Sequence, residues 1–297
     1  MAYVTGSAAD MAAVKTALVD ACTSNGWTSQ TDADGKTVLS NGGCYVRVEA
    51  FLDHLDLLGR TSLDSGNAPT ITSIGNATSD NYPNITIGFP VTYFAFIYLS
   101  EVYFVINYSD CYQWCAFGQS NQSGLSGTGN WVSATFGNNR SFVYGGFSIG
   151  PSGNSGGGER GSAALFWDTE LDNPNGWIHN NIETSYPWAQ SLGGNIGGSA
   201  VGIKYLTELV KAQPNQFSGE GILLPIRAYK SRPDSKVSQL IELEYARHIR
   251  IDNYIPEQII TLGTDEWMLF PWYAKDASNR DGSYPYTGTF GWAIKKA

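Results

Sequence analysis

The longest apolar run in the chain, Thr92 to Phe117 (TYFAFIYLSEVYFVINYSDCYQWCAF), is built almost wholly from aromatic and β-branched residues. Such side chains suit pleated, half-buried surfaces. Only Ser100-Glu101 and Ser109-Asp110 interrupt it, so the pattern predicts two or three antiparallel strands in succession. Phe94, Phe96 and Tyr98 fall on one face of the first strand, and Tyr93, Ala95, Ile97 and Leu99 on the other. Both faces are apolar, which predicts a strand covered on both sides.

Before this run, Ser7 to Asn25 has helical periodicity. Met11, Val14, Leu18 and Cys22, flanked by Ala17 and Ala21, form one stripe. Ser7 is the expected N-cap and Asn25-Gly26 the expected stop. Trp27 and a polar turn follow. Thr37–Ser40 and Cys44–Phe51 read as strands joined at Asn41-Gly42-Gly43. Leu52 to Pro69 fits a short helix or a loop anchor, and Ile71 to Pro90 is turn-rich with one short strand.

After the run, Gly124–Gly129 reads as a loop. Trp131–Phe136 and Ser141–Tyr144 read as paired strands, and Ala163–Trp167 as another. Gly150 to Gly161 (GPSGNSGGGERG) has the composition of a flexible loop or boundary. Asp172–Gly176 reads as a turn, and Leu206–Lys211 as a helical turn or strand. Gly221–Tyr229 is strand-like, with Pro225 marking an edge or bulge. Leu240–Ile251 fits a strand pair or a short helix. Glu257–Leu262 and Glu266–Phe270 form a hairpin over Gly263-Thr264-Asp265, and Phe290–Lys295 is a final strand. The expected fold is α+β, mostly antiparallel sheet with an N-terminal helix. Residues 1–60 would form a helix-plus-hairpin unit and 61–297 a β-rich body, or the whole would compact into one domain.

Composition narrows the function classes. Charged residues are 15% of the 297, below the roughly 25% of an average chain, and aromatics are 13%. The net charge of −9 argues against a surface that grips nucleic acid. The basic residues Arg227, Lys230, Arg232 and Lys236 cluster late in the chain and are expected to face neighbouring subunits or solvent. The opening MAYVTGSAADM has no basic segment leading into an apolar one, so no secretory leader is expected. The apolar run is too interrupted to span a bilayer, so no membrane insertion is expected either. Cys111 and Cys115 would lie about 13 Å apart on one strand face, too far for a disulfide. With Cys22 and Cys44 they read as reduced, buried thiols. His54, His179 and His248 do not complete a zinc pattern. No metal and no cofactor are expected.

Candidate chemistry is sparse. Gly153-Asn154-Ser155-Gly156-Gly157 matches G-x-S-x-G, but a nucleophile elbow needs a strand before it and a helix after it. A Gly-rich loop explains the match. His54 sits between Asp53 and Asp56, an arrangement equally common on surfaces. The neighbouring carboxylates Asp53/Asp56, Glu242/Glu244 and Asp265/Glu266 do not by themselves define a hydrolase cleft. No residue is assigned a catalytic role. Tyr103, Phe104, Tyr108, Tyr112, Trp114, Trp131, Trp267 and Trp272 are the candidates for core or interface contacts.

Three segments carry a family resemblance. They are the opening Tyr3 to Thr28, the pair VYFVINYSDCYQWCAFGQS (Val102–Ser120) and GTGNWVSATF (Gly127–Phe136), and the ending RIDNYIPEQIITLGTDEWMLFPWYAKD (Arg250–Asp276) with GTFGWAIKK. Together they resemble virion structural proteins of tailed bacteriophages, and the opening is similar in outline to tail terminator proteins. The resemblance implies a neck or tail component, such as a ring at the head–tail junction. It also implies assembly in the bacterial cytoplasm with further copies of itself and other virion proteins, without catalysis. A receptor- or sugar-binding fibre or baseplate protein, or a glycan-active enzyme, are the alternative readings. The resembling motifs are structural and bring no active-site residues with them.

Overall fold

The computed structural model describes residues 1–77, 84–120, 127–136, 164–166, 176–180, 187–190, 200–201, 221–232, 236–282 and 286–296. The predicted Ser141–Tyr144 strand, the Gly150–Gly161 loop with its Ser155 motif, and Leu206–Lys211 lie outside the described residues. So does most of the Asp172–Gly176 turn.

The chain opens with β1 (Ala2–Ala8), then α1 (Met11–Thr23), β2 (Thr28–Thr31), β3 (Thr37–Asn41), β4 (Cys44–Ala50), β5 (His54–Arg60) and β6 (Ile71–Gly75). The long apolar run becomes β7 (Val91–Ile97), β8 (Glu101–Tyr108) and β9 (Cys111–Gln119), followed by β10 (Asn130–Ala134). Short strands β11 (Gly176–His179), β12 (Trp188–Gln190) and β13 (Ala200–Val201) lead to β14 (Leu224–Arg232) and β15 (Lys236–Arg250). Then come β16 (Ile259–Leu262), β17 (Asp265–Pro271) and β18 (Phe290–Lys296). All ladders between named strands are antiparallel, in three sheets ordered β1-β7-β8-β9-β10-β11-β12, β13-β14-β15-β18-β17-β16 and β2-β3-β4-β5-β6. With one helix among the described residues, the fold is mostly β rather than α+β.

The seven-stranded sheet is the middle layer. Register puts Phe94, Phe96, Tyr103, Val105, Tyr112 and Trp114 on one face. That face meets the six-stranded sheet. Phe270 touches Phe94 and Phe96, and Trp114, Trp272 and Trp292 form a triangle with ring centroids 4.8 to 5.7 Å apart. The opposite face carries Ala95, Ile97, Phe104, Gln113, Cys115, Phe117 and Val132. It meets α1 and the five-stranded sheet: Trp27 packs edge-on to Phe117, and Gln113 bonds both backbone groups of Gly75 on β6. One hydrophobic cluster runs through all three layers. A satellite cluster of Ile249, Ile251, Trp267, Leu269 and Ala293 lies on the other face of the six-stranded sheet.

Several local expectations need correction. The helix N-cap is Asp10, whose carboxylate accepts from the Ala13 amide at 2.8 Å; Ser7 is already in β1, opposite Thr92. A helix-forming stripe does not reveal that the preceding residues are claimed by a distant strand. Thr28–Thr31 forms a strand that the polar pattern does not announce, all four residues being exposed, and the expected polar turn follows it at Ala33–Gly35. His54–Arg60 is β5, not a helix or loop anchor, because Leu55 and Leu57 point into the core while Asp56 pairs opposite Glu49. Ala164–Phe166 is a buried turn with Phe166 at φ 52°, not a strand. Leu240–Arg250 belongs to one long strand, β15, with Ile251 just past its end, and Pro225 on β14 lies, as expected, beside a bulge, whose extra residues are in β15.

Gly118 on β9 lies opposite both Glu101 and Trp131. A Cβ there would run into the Ser100 carbonyl, backbone that cannot step aside, whereas a Cβ at Gly88 meets nothing within 4 Å. Gly118→Ala should cost about 1–3 kcal/mol in urea denaturation, and Gly88→Ala should fall within ~0.5 kcal/mol of the parent.

Candidate functional site

The pairing of β14 with β15 breaks down at one place. Pro225 lies opposite Arg247 and Arg227 opposite Glu242, so the single residue Ile226 faces the four residues from Leu243 to Ala246. On its other side β15 pairs with β18 only from Ala246 onward. Leu243, Glu244 and Tyr245 therefore have no registered partner in either neighbouring strand. A bulge of this size strands backbone donors and acceptors that burial would make costly.

Two charged side chains take over those groups. Glu101, the first residue of β8 in the middle sheet, reaches across the layer boundary. Its carboxylate accepts from the Glu244 amide at 3.0 Å, the Tyr245 amide at 3.2 Å and the Tyr103 hydroxyl at 2.6 Å. Arg247 turns back along its own strand and donates to the carbonyls of Leu243 and Ala246, at 2.7 and 2.8 Å. Thus the acid takes two of the bulge amides, and the base takes the Leu243 carbonyl and that of Ala246 beside the bulge. Tyr245 stacks flat on Tyr98, with centroids 3.7 Å apart and planes at 1°, and the Tyr98 hydroxyl donates to the Lys295 carbonyl of β18. The Arg247 guanidinium lies 5.4 Å from the Trp267 ring centroid.

Glu101 is 2% exposed. Burial pushes its carboxyl up to about 7, against the pull of the three donors; the nearby Glu244 carboxylate pushes the same way as burial. Burial also raises the Tyr103 and Tyr98 hydroxyls, so both stay protonated donors. A carboxyl poised near neutrality beside a phenol can hold a proton or hand it on. The groups around it are backbone amides, phenols and packed indoles, the surroundings of a structural joint.

The eight candidate aromatics are all core residues. Tyr103, Phe104, Tyr108, Tyr112, Trp114, Trp131 and Trp272 belong to the main cluster and Trp267 to the satellite. Tyr108 and Tyr273 share a hydrogen bond, and the Tyr112 hydroxyl donates to Glu257. Among the described residues every tryptophan is buried, so none offers a face on which a sugar ring could stack. His54 is 8% exposed, lies under Phe51 at 4.4 Å, and has Asp53 at 2.7 Å and Asp56 at 3.6 Å. Among the described residues no group of three or more His, Cys, Asp or Glu side chains is placed to hold a metal ion. The other acid pairs reach bases across their sheets: Glu242 meets Arg227 at 2.6 Å, Asp265 meets Lys295 at 2.8 Å, and Glu266 meets Lys296 at 3.5 Å. Cys22, Cys44 and Cys115 come together in the core from three distant parts of the chain, and burial raises each thiol.

In the sequence Glu101 reads as a break between strands. Its only sequence signal is an acid amid aromatic residues with no glycine, proline or asparagine to make a turn. Nothing local connects it to Glu244 and Tyr245. No protein-family model matches the chain, and no curated protein matches it.

Removing the Glu101 carboxylate would leave two buried amides and a buried phenol without their acceptor. Glu101→Ala should cost about 3 kcal/mol or more, whereas Glu244→Ala, which keeps its backbone amide and changes an exposed side chain, should fall within ~0.5 kcal/mol of the parent. Chemical denaturation of both variants checks the contrast.

Proposed function

We propose that this protein is a non-catalytic structural subunit of a bacteriophage virion, at the neck or tail, that assembles with further copies of itself into a ring and contacts other virion proteins. The observation that carries the assembly reading is the edge strand β16. Among the described residues it pairs only with β17, and it presents Ile259 and Leu262, 40% and 61% exposed, with no lysine or proline along Ile259–Leu262. Natural sheets usually protect an open edge with such residues, because an unprotected one invites another chain to pair. Leu52 and Leu99, 98% and 70% exposed at the β4–β5 and β7–β8 tips, add apolar contact points. The virion setting rests on the resemblance of the Tyr3–Thr28, Val102–Ser120, Gly127–Phe136 and Arg250–Asp276 segments to tailed-phage structural proteins.

Light scattering coupled to size-exclusion chromatography on the purified full chain should give a mass that is a multiple of the 32.2 kDa protomer. Ile259→Lys with Leu262→Lys should move it towards the protomer by charging the edge. A monomer at every accessible concentration would overturn the assembly reading.

A subunit that lines a passage for a genome has to repel phosphate, and each copy carries a net charge of −9. Of the late basic residues, Arg227 is already engaged with Glu242. The purified protein should show no measurable binding to duplex DNA at moderate salt in a fluorescence-anisotropy titration. Tight binding with a steep salt slope would remove the passage role.

A further inference from the structure

β16 is bounded closely at both ends. At one end the Gly263-Thr264 turn, with Gly263 at φ 65°, closes it onto β17. At the other, Glu257, at φ 68°, and Gln258 both bond Leu269, a bulge that ends the regular ladder. Between these limits the backbone groups alternate in direction. A two-residue turn closes on a hydrogen-bonded pair, here Leu262 and Asp265. The Gln258 carbonyl accepts from the Leu269 amide at 2.9 Å. Leu262, Ile260 and Gln258 thus direct their backbone groups at β17. The N–H and C=O groups of Ile259 and Thr261 point away from it, and among the described residues no strand lies on that side.

The strand that fits this edge best is its own twin. Gln258 to Thr264 (QIITLGT) carries no charge, and two copies with a net charge of −9 each approach most easily where neither is charged. Two identical strands side by side and antiparallel are related by a two-fold axis. An axis normal to the sheet leaves every side chain on its own face, so it must pass through a residue rather than between two. Centred on Ile260, it sets Ile259 opposite the partner's Thr261 and Thr261 opposite the partner's Ile259. Both are hydrogen-bonded pairs, so every outward group of both strands is used. Centred on Thr261, it would set Ile259 against Gly263, which the turn already holds. In the first register Ile260, packed on the satellite cluster of Trp267 and Leu269, meets its twin and joins the two clusters. On the same face Leu262, 61% exposed, lies opposite the partner's Gln258.

We propose that two copies of the chain join β16 to β16 about a two-fold axis through Ile260, so that the two six-stranded sheets become one continuous antiparallel sheet. This inference rests on the assembly reading above and gives assembly its first step. A two-fold contact closes on itself. A ring of more than two copies is then built from such pairs, through other surfaces.

The register can be read by cross-linking. Directly opposed residues of a non-hydrogen-bonded pair have Cα atoms about 4.5 Å apart, within reach of a disulfide. Ile260 and its twin are such a pair. Thr261 and its twin are offset by two residues, so their Cα atoms lie about 8 Å apart, beyond reach. Under mild oxidation with diamide, Ile260→Cys should give a covalent species of twice the 32.2 kDa protomer on a non-reducing gel. Thr261→Cys alone should give at least tenfold less, and Ile259→Cys mixed with Thr261→Cys should cross-link again. The parent chain, whose thiols at Cys22, Cys44 and Cys115 are buried, is the control.

Thr261→Pro adds a second readout. It deletes one outward N–H and leaves the bonds to β17 in place, so light scattering should show association weakened at least tenfold. A parent chain that is a monomer at every concentration overturns this pairing together with the assembly reading. A multimeric parent in which Ile260→Cys does not cross-link, or Thr261→Cys cross-links equally, overturns the pairing and leaves the assembly reading standing. So does a multimeric parent that Thr261→Pro leaves unchanged. A parent that associates only when another virion protein is added gives the edge to that protein, which also overturns the pairing. Should Ile260→Cys fail to fold, the Ile259→Cys and Thr261→Cys mixture, both at exposed positions, decides in its place.

Discussion

A sheet with protein on both faces offers a polar group no water, and the middle layer of this fold lives under that constraint. Its strands Val91–Ile97, Glu101–Tyr108 and Cys111–Gln119 are buried nearly end to end. Water can satisfy little inside them, so the backbone must pair completely and side chains must be apolar or fully engaged. The aromatic content follows: indole and phenol rings fill the gap to the outer sheet, and some polar tips find fixed acceptors, as the Trp114 indole does on the Trp272 carbonyl at 3.2 Å, while the buried Trp131 and Trp292 indole N–H groups have no hydrogen-bond partner.

The same constraint explains where buried charge is found. Several buried charges sit where the backbone departs from regular pairing or at a strand end. Glu101 and Arg247 complete the bulge in β15. Asp32, which caps the turn between β2 and β3 by accepting from the amides of Asp34 and Lys36, meets the buried Arg60 at 2.8 Å. Burial pushes the Asp32 carboxyl up, but the Lys36 amide and Arg60 outweigh it and hold the group below its ordinary value. Asp252, just past the end of β15, gathers Arg250, Arg280 and Thr289, while Arg250 lies 4.1 Å over the Phe290 ring. Charges so placed add little net stability, but removing one partner is expensive.

Much of this architecture is legible in the chain. Aromatic alternation around Phe94 and Phe96 gives a doubly covered strand, and the Met11–Val14–Leu18–Cys22 stripe gives the helix and its buried face. What is not legible is non-local. Ser7 has good N-cap chemistry, yet it pairs with Thr92. Thr28–Thr31 has no apolar residue, and only its neighbour Thr37–Asn41 makes it a strand. The Glu101 clasp depends on an irregular register between β14 and β15, which no periodicity encodes. An acid that looked like punctuation between strands is instead the group that joins two sheets.

The order of the outer sheet also bears on how the chain is made. β18 lies between β15 and β17, although it follows both in sequence. As synthesis proceeds from the N-terminus, β15, β16 and β17 emerge first and cannot complete their ladders. Until β18 arrives, Trp267 and Met268 on one side and Ala246 to Arg250 on the other present unpaired backbone. The tryptophan triangle is likewise missing Trp292. The outer layer therefore closes in a single late event, in which one strand supplies two ladders and an indole together. A chain cut short before Phe290 would lack the strand that ties β15 to the β16–β17 hairpin, so an interrupted product could not fix the exposed edge in its place in the outer layer.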